Sequence, residues 1–137
     1  MSAFTPGEIE YLTALRLGRL ATVGADGQPH VVPVTYVYNA AQDAIDIGGM
    51  RFGDRKKWRD MRANPKVTFL VDESDDGSGG GIEIRGAAEL HETGGESINP
   101  RFPQFAPQFL RLRPKRIVAW AIDRTPDNPY ARNARDV

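Results

Sequence analysis

No apolar run in this chain is long, and each is ended by residues that turn or break a backbone. Residues 20–23, 30–38, 44–48, 67–71, 82–91 and 116–122 carry Val, Ile, Thr and aromatic side chains, which pack well on a pleated surface. Most of the 14 glycines and 10 prolines fall between these runs. Short β-forming segments separated by turn residues predict antiparallel β structure. The order of elements does not suit a parallel βαβ sheet. The expectation is a mainly β chain, an antiparallel barrel of six strands or so with helices at its gaps.

Two helices are expected. Thr5-Pro6-Gly7-Glu8 combines a capping threonine, a proline at the first helical position and a glutamate that reaches back to the cap. This helix is expected to run over about residues 6–17, with Ile9, Leu12 and either Leu15 or Arg16 on one face. Asp54 is positioned to cap a second helix through Lys57, Trp58 and Met61 to about Ala63, where Asn64-Pro65 stops it. Residues 72–81 read as a mobile hairpin loop, residues 94–107 as irregular or briefly helical, and residues 124–137 as a loose polar tail.

The 137 residues suit one domain, residues 1–137. Their 18 basic and 18 acidic side chains cancel, so no global field draws nucleic acid, and an anion must be held locally. The absence of cysteine removes disulfides, thiolate nucleophiles and sulfur-based zinc sites. No apolar run approaches the ~18 residues of a membrane span, and the N-terminus lacks the basic start and apolar stretch of an export signal. A soluble, cytoplasmic protein is expected.

The stretch richest in chemical information is residues 48–62. A strand ends in Gly48-Gly49-Met50, and a helix follows that opens with Arg55-Lys56-Lys57. Cations in a first helical turn oppose the helix dipole, and a bound anion at the free N–H groups offsets that cost. The other reading is a solvated basic face pairing with Asp54 and Asp60. Pro33 interrupts the second strand and marks an edge, a bulge or backbone facing a ligand. His30 and His91 stand alone at strand ends, and Glu83 and Glu89 read as solvated carboxylates. Trp58, Phe102, Phe105 and Phe109 are core or pocket residues. Trp120, on one strand face with Arg116, suits a dimer seam or a cofactor wall. Arg124, Arg132 and Arg135 read as solvated.

Several of these segments, taken in order, carry a resemblance. Arg19-Leu-Ala-Thr-Val-Gly-Ala-Asp-Gly-Gln-Pro-His-Val-Val-Pro-Val, the glycine loop, Lys57-Trp-Arg-Asp-Met-Arg-Ala-Asn-Pro-Lys-Val-Thr-Phe and Ile82-Glu-Ile-Arg-Gly-Ala-Ala-Glu resemble the pyridoxamine 5′-phosphate oxidase-like split-barrel proteins over about residues 8–123. The run at residues 105–120 is similar to the branch that uses the deazaflavin coenzyme F420.

The resemblance implies a split-barrel homodimer with cofactor sites at the subunit interface, and an oxidoreductase acting on a small conjugated molecule. The cofactor implied is coenzyme F420, with FMN or a non-catalytic binding role as alternatives. Lys57 matches the lysine that contacts the cofactor phosphate, with Arg55 and Lys56 beside it. Val32, Pro33 and Val34 match the strand facing the ring, and Gly48, Gly49 and Met50 match the place where the strand end meets the ribityl chain and phosphate. Arg51, Arg55, Lys56 and Arg59 would meet the acidic tail, and Tyr36 is a possible proton source. His30-Val-Val-Pro-Val-Thr and Gly48-Gly49-Met50 replace the Arg-x-Val-x-x-Lys and Tyr-Thr-Asn of true pyridoxamine-phosphate oxidases, which points away from a pyridoxal-type substrate.

Overall fold

The computed structural model describes residues 1–72 and 79–137; most of the expected hairpin loop, residues 73–78, lies outside them. The elements are α1 (Pro6–Ala14), β1 (Leu17–Val23), β2 (Pro29–Thr35), β3 (Val37–Asn39), β4 (Ala44–Gly48), α2 (Lys56–Ala63), β5 (Lys66–Val71), β6 (Gly81–His91), β7 (Phe109–Trp120) and β8 (Arg132–Asp136). Two 3-10 turns, Phe52–Asp54 and Gly95–Ser97, join them.

All ladders are antiparallel, and the strands run β2-β1-β5-β6-β7-β4-β3, with β8 added on β7. The two ends of that order, β2 and β3, are consecutive in sequence and separated only by Tyr36. The sheet therefore curls until its edges meet, giving a split barrel with helices at its openings. β7 is long enough to serve two partners along one edge: residues 109–112 pair with β4 and residues 116–120 with β8.

Burial follows the two-residue period that strands impose. Leu20, Phe69, Ile82, Ile84, Leu110, Leu112 and Ile117 are fully buried inside the curl. β4 is covered on both faces, so Asp46 is buried too, and Arg111 satisfies it through contacts of 2.8 and 3.1 Å. Among the described residues no helix is long and apolar enough to cross a membrane.

Four local expectations are corrected. α1 has its capping box but ends at Ala14 instead of about residue 17, because residues from Leu17 onward pair with β2. The run over residues 30–38 is split at Tyr36, whose N–H donates to the Arg16 carbonyl at 3.2 Å and whose hydroxyl donates to the Leu12 carbonyl at 2.7 Å. Asp54 ends a 3-10 turn, and Arg55 takes the cap position of α2 without any side-chain cap. The segment expected as a loose tail supplies β8, and its Arg135 reaches Glu8 of α1 at 2.6 and 3.1 Å. The barrel thus carries two strands more than six, one from the split and one from the tail.

Candidate cofactor-binding site

β4 ends where β2 ends. In the β3–β4 ladder Val37 faces Asp46 and Asn39 faces Ala44, so the β2–β3 corner lies toward the Gly48 end of β4, and β2 comes into contact with β4. At its other end β2 places His30 opposite Thr22. The Thr22 hydroxyl donates to Asp60 of α2 at 3.3 Å. β2 therefore spans the distance between α2 and the glycine loop. Val34 is buried, Val32 is half-buried, and Pro33 lies on the outer face with Val31. β2 ends the strand order, so Pro33 stands on an edge strand, where a missing N–H is tolerated on the open side.

The glycine loop is shaped by what packs on it. A Cβ at Gly48 would lie 2.9 Å from Ile98 Cδ1 and 3.1 Å from the Phe105 ring, so only glycine lets the 98–106 segment sit this close. Ala106 N–H donates to the Gly49 carbonyl at 3.0 Å. Met50 points outward and is 57% exposed. Arg51 adopts a left-handed φ of 54°, a conformation unusual outside glycine and often found at ligand loops.

Phe52 then anchors the approach to α2. It is fully buried and meets Trp58 edge to face at 5.6 Å. Sequence reasoning overlooked it; the signal was one large apolar residue inside an otherwise polar, glycine-containing loop. The Phe52 ring also seats Lys57, whose Nζ stands 5.2 Å from the ring centre.

The basic segment separates into three different environments. Lys56 is engaged: its Nζ donates to both oxygens of buried Asp60 at 3.0 and 2.9 Å. That hydrogen bond from Lys56 lowers the Asp60 pKa below the usual carboxylate range, against the opposing effect of burial. Arg55 is exposed and touches the Met50 carbonyl at 3.4 Å. Lys57 is half-buried and has no carboxylate partner among the described residues. Burial first, and the neighbouring Arg55 charge second, push its pKa below the usual lysine value. The N–H groups of Lys56 and Lys57 meet no cap at the start of α2. A half-buried ammonium with no carboxylate partner among the described residues, beside uncapped N–H groups and an exposed guanidinium, is a donor set suited to a phosphate.

Trp120 does not join this group within one chain. It lies at the far end of β7 from Phe109, which pairs with Gly48. Its indole N–H donates to the Gly79 carbonyl at 2.9 Å, and a Cβ on Gly81 would come 2.4 Å from its ring. Tyr36 is buried, and its hydroxyl donates to the Leu12 carbonyl at 2.7 Å. His91 stacks on Phe109 at 4.7 Å and pairs with Glu89 at 2.7 Å, a surface arrangement as expected.

Residues 7–135 match the profile of the family described as pyridoxamine 5′-phosphate oxidase. The chain belongs to this family. Within it, the chain is 40% identical over 123 residues to the 5a,11a-dehydrotetracycline/5a,11a-dehydrooxytetracycline reductase of Streptomyces rimosus subsp. rimosus, covering 88% of this chain and 84% of that protein. A pyridoxamine 5′-phosphate oxidase-related, FMN-binding protein from Nostoc punctiforme shares the fold with a TM-score of 0.69 at 12% identity, over 98% of this chain and 99% of the other. A solved structure named F420 Reductase does so with a TM-score of 0.62 at 23% identity, over 79% and 94%. The antiparallel split barrel read from the sequence is the fold of this family.

Proposed function

We propose that this oxidoreductase is a coenzyme F420-dependent reductase acting on an activated double bond of a small, flat, conjugated molecule. The observation that carries the reading is Lys57: a half-buried ammonium over Phe52 with no carboxylate partner among the described residues, at the uncapped start of α2. Its 40% identity to a dehydrotetracycline reductase supports reduction of a conjugated ring system. The solved F420 Reductase and the FMN-binding relative keep the two cofactor chemistries in view.

When bound, the reduced deazaflavin supplies the hydride; the protein supplies binding, orientation and exclusion of water. Lys57 would hold the phosphate, with the exposed Arg55 beside it. Lys56 fixes the start of α2 through Asp60 and contributes little direct contact. Val32, Pro33 and Val34 of β2 would border the ring, and Gly48, Gly49 and Met50 the chain that links ring to phosphate. Arg51, Arg55 and Arg59 are exposed and meet the acidic tail with weak, screened ion pairs. The final proton would come from solvent or from a tyrosine such as Tyr36.

The working unit in this reading is a homodimer, the protein cytoplasmic. Trp120 then reaches a cofactor from the second copy, since its own chain places it at the other end of β7. Parallel titrations with coenzyme F420 and FMN test the assignment. The expected result is a colourless protein that binds coenzyme F420 at micromolar concentration and FMN far more weakly. A yellow protein retaining FMN would instead establish the flavin reading, and tight coenzyme F420 binding without turnover of any conjugated enone would establish a carrier.

A further inference from the structure

A cleft of about 740 Å³ opens next to this site, between the end of α1 and its linker, the β2–β3 corner and the turn at residues 99–102. Tyr36 ties two of these walls together through its bonds to Leu12 and Arg16. The third wall is built by Asn99, which is buried and whose side-chain oxygen accepts from Arg101 N–H at 3.1 Å. Its carbonyl accepts from Phe102 N–H at 3.0 Å. Phe102 stacks on Phe105 with centroids 4.9 Å apart and planes 4° from parallel. Phe105 in turn lies against Gly48, so the aromatic wall of the cleft is mechanically continuous with the glycine loop.

Most of the cleft lining is apolar or neutral, but Arg16 and Arg101 both border it. Both are exposed, and neither guanidinium has a carboxylate partner among the described residues. By contrast Arg111, Arg113, Arg116 and Arg135 each hold an acidic side chain. We infer that this cleft is the substrate subsite and selects planar conjugated anions, a ring lying along Phe102 and an ionised oxygen facing Arg16 and Arg101. As a substrate class this rests on the reductase reading above, whereas the binding preference itself is measurable without it.

The test is fluorescence titration with 8-anilinonaphthalene-1-sulfonate, an anion carrying a flat naphthalene ring, and with uncharged N-phenyl-1-naphthylamine, which lacks its sulfonate. The wild-type protein is expected to prefer the anion by about tenfold, the scale of one charge-assisted hydrogen bond. The pair Arg16→Gln and Arg101→Gln should erase that preference and leave affinity for the neutral probe and for coenzyme F420 unchanged. Arg101→Lys should keep it, and Phe102→Ala should weaken both probes. Equal binding of the two probes by wild type overturns the inference. So does a preference that survives the double substitution, or one lost in Lys57→Ala instead, which would put the probe in the phosphate site. A wild-type protein that shows the anion preference yet binds no coenzyme F420 keeps the cleft and sinks the cofactor assignment; the reverse result does the opposite.

Discussion

Arg135 and the segment Arg55-Lys56-Lys57 both stand near a helix start in the folded protein, and the fold treats these cations in opposite ways. Arg135 comes from the far end of the chain to α1, where it meets Glu8, a carboxylate with no exposure, and the Ala3 carbonyl at 2.8 Å. Hydrogen bonding to Glu8, outweighing burial, raises the Arg135 pKa above its usual value. At α2 one cation is matched by Asp60, one is left to solvent, and Lys57 is half-buried against an aromatic ring with its pKa lowered. A buried pair in which each charge has its partner holds a fold together. A desolvated charge without one is stabilised when an anion arrives.

The largest effect that tests this contrast is on stability. Arg135→Ala strands Glu8 as an unpaired buried carboxylate and should cost about 3–5 kcal/mol of unfolding free energy in urea titrations. Folded protein should still bind cofactor as wild type does. A loss below about 1 kcal/mol would place the C-terminal strand among surface features worth little.

Lys57→Ala is the mirror case. Cofactor affinity should weaken by about 1.5–3 kcal/mol, the range for a hydrogen bond to a charged group, while the urea midpoint stays level or rises because a desolvated charge is removed. Unchanged affinity would remove the phosphate assignment. The pH dependence follows the same asymmetry. In the free protein burial disfavours the Lys57 ammonium, so affinity holds at low pH and falls as pH rises through its lowered pKa. Lys57→Arg should carry that fall to higher pH.

The smallest expected effect separates Lys56 from its neighbour. Lys56→Met should destabilise the fold by about 1 kcal/mol, since the pair is half open to water, and alter cofactor affinity less than Lys57→Ala does. Asp60 has a folded pKa below its unfolded value, so the stabilisation is full above the unfolded pKa and disappears as pH falls through the folded one. The gap between Lys56→Met and wild type should therefore close in acid. A gap that persists there would mean Lys56 acts through something other than Asp60.

Much of the barrel is legible in the sequence. Thr5, Pro6 and Glu8 form the capping box they spell, and the β-branched runs are strands with the two-residue burial period. The misread boundaries share one cause. Residues 15–17 satisfy a helical pattern and residues 124–137 an irregular one, but each boundary is decided by an antiparallel ladder to a neighbouring strand, β1 with β2 and β8 with β7, which residue pattern within the segment does not reveal. Pro33 was legible as an interruption, and its edge position needed the strand order.

The sequence by itself determined that the chain is an antiparallel β protein and that basic residues follow a glycine loop, because turn chemistry, strand period and capping are local properties. Only the tertiary structure decided which of those cations is free to bind. Lys56 and Lys57 are adjacent and chemically alike. What separates them is that one points at buried Asp60 and the other over the ring of Phe52, and burial and partnership are properties of packing.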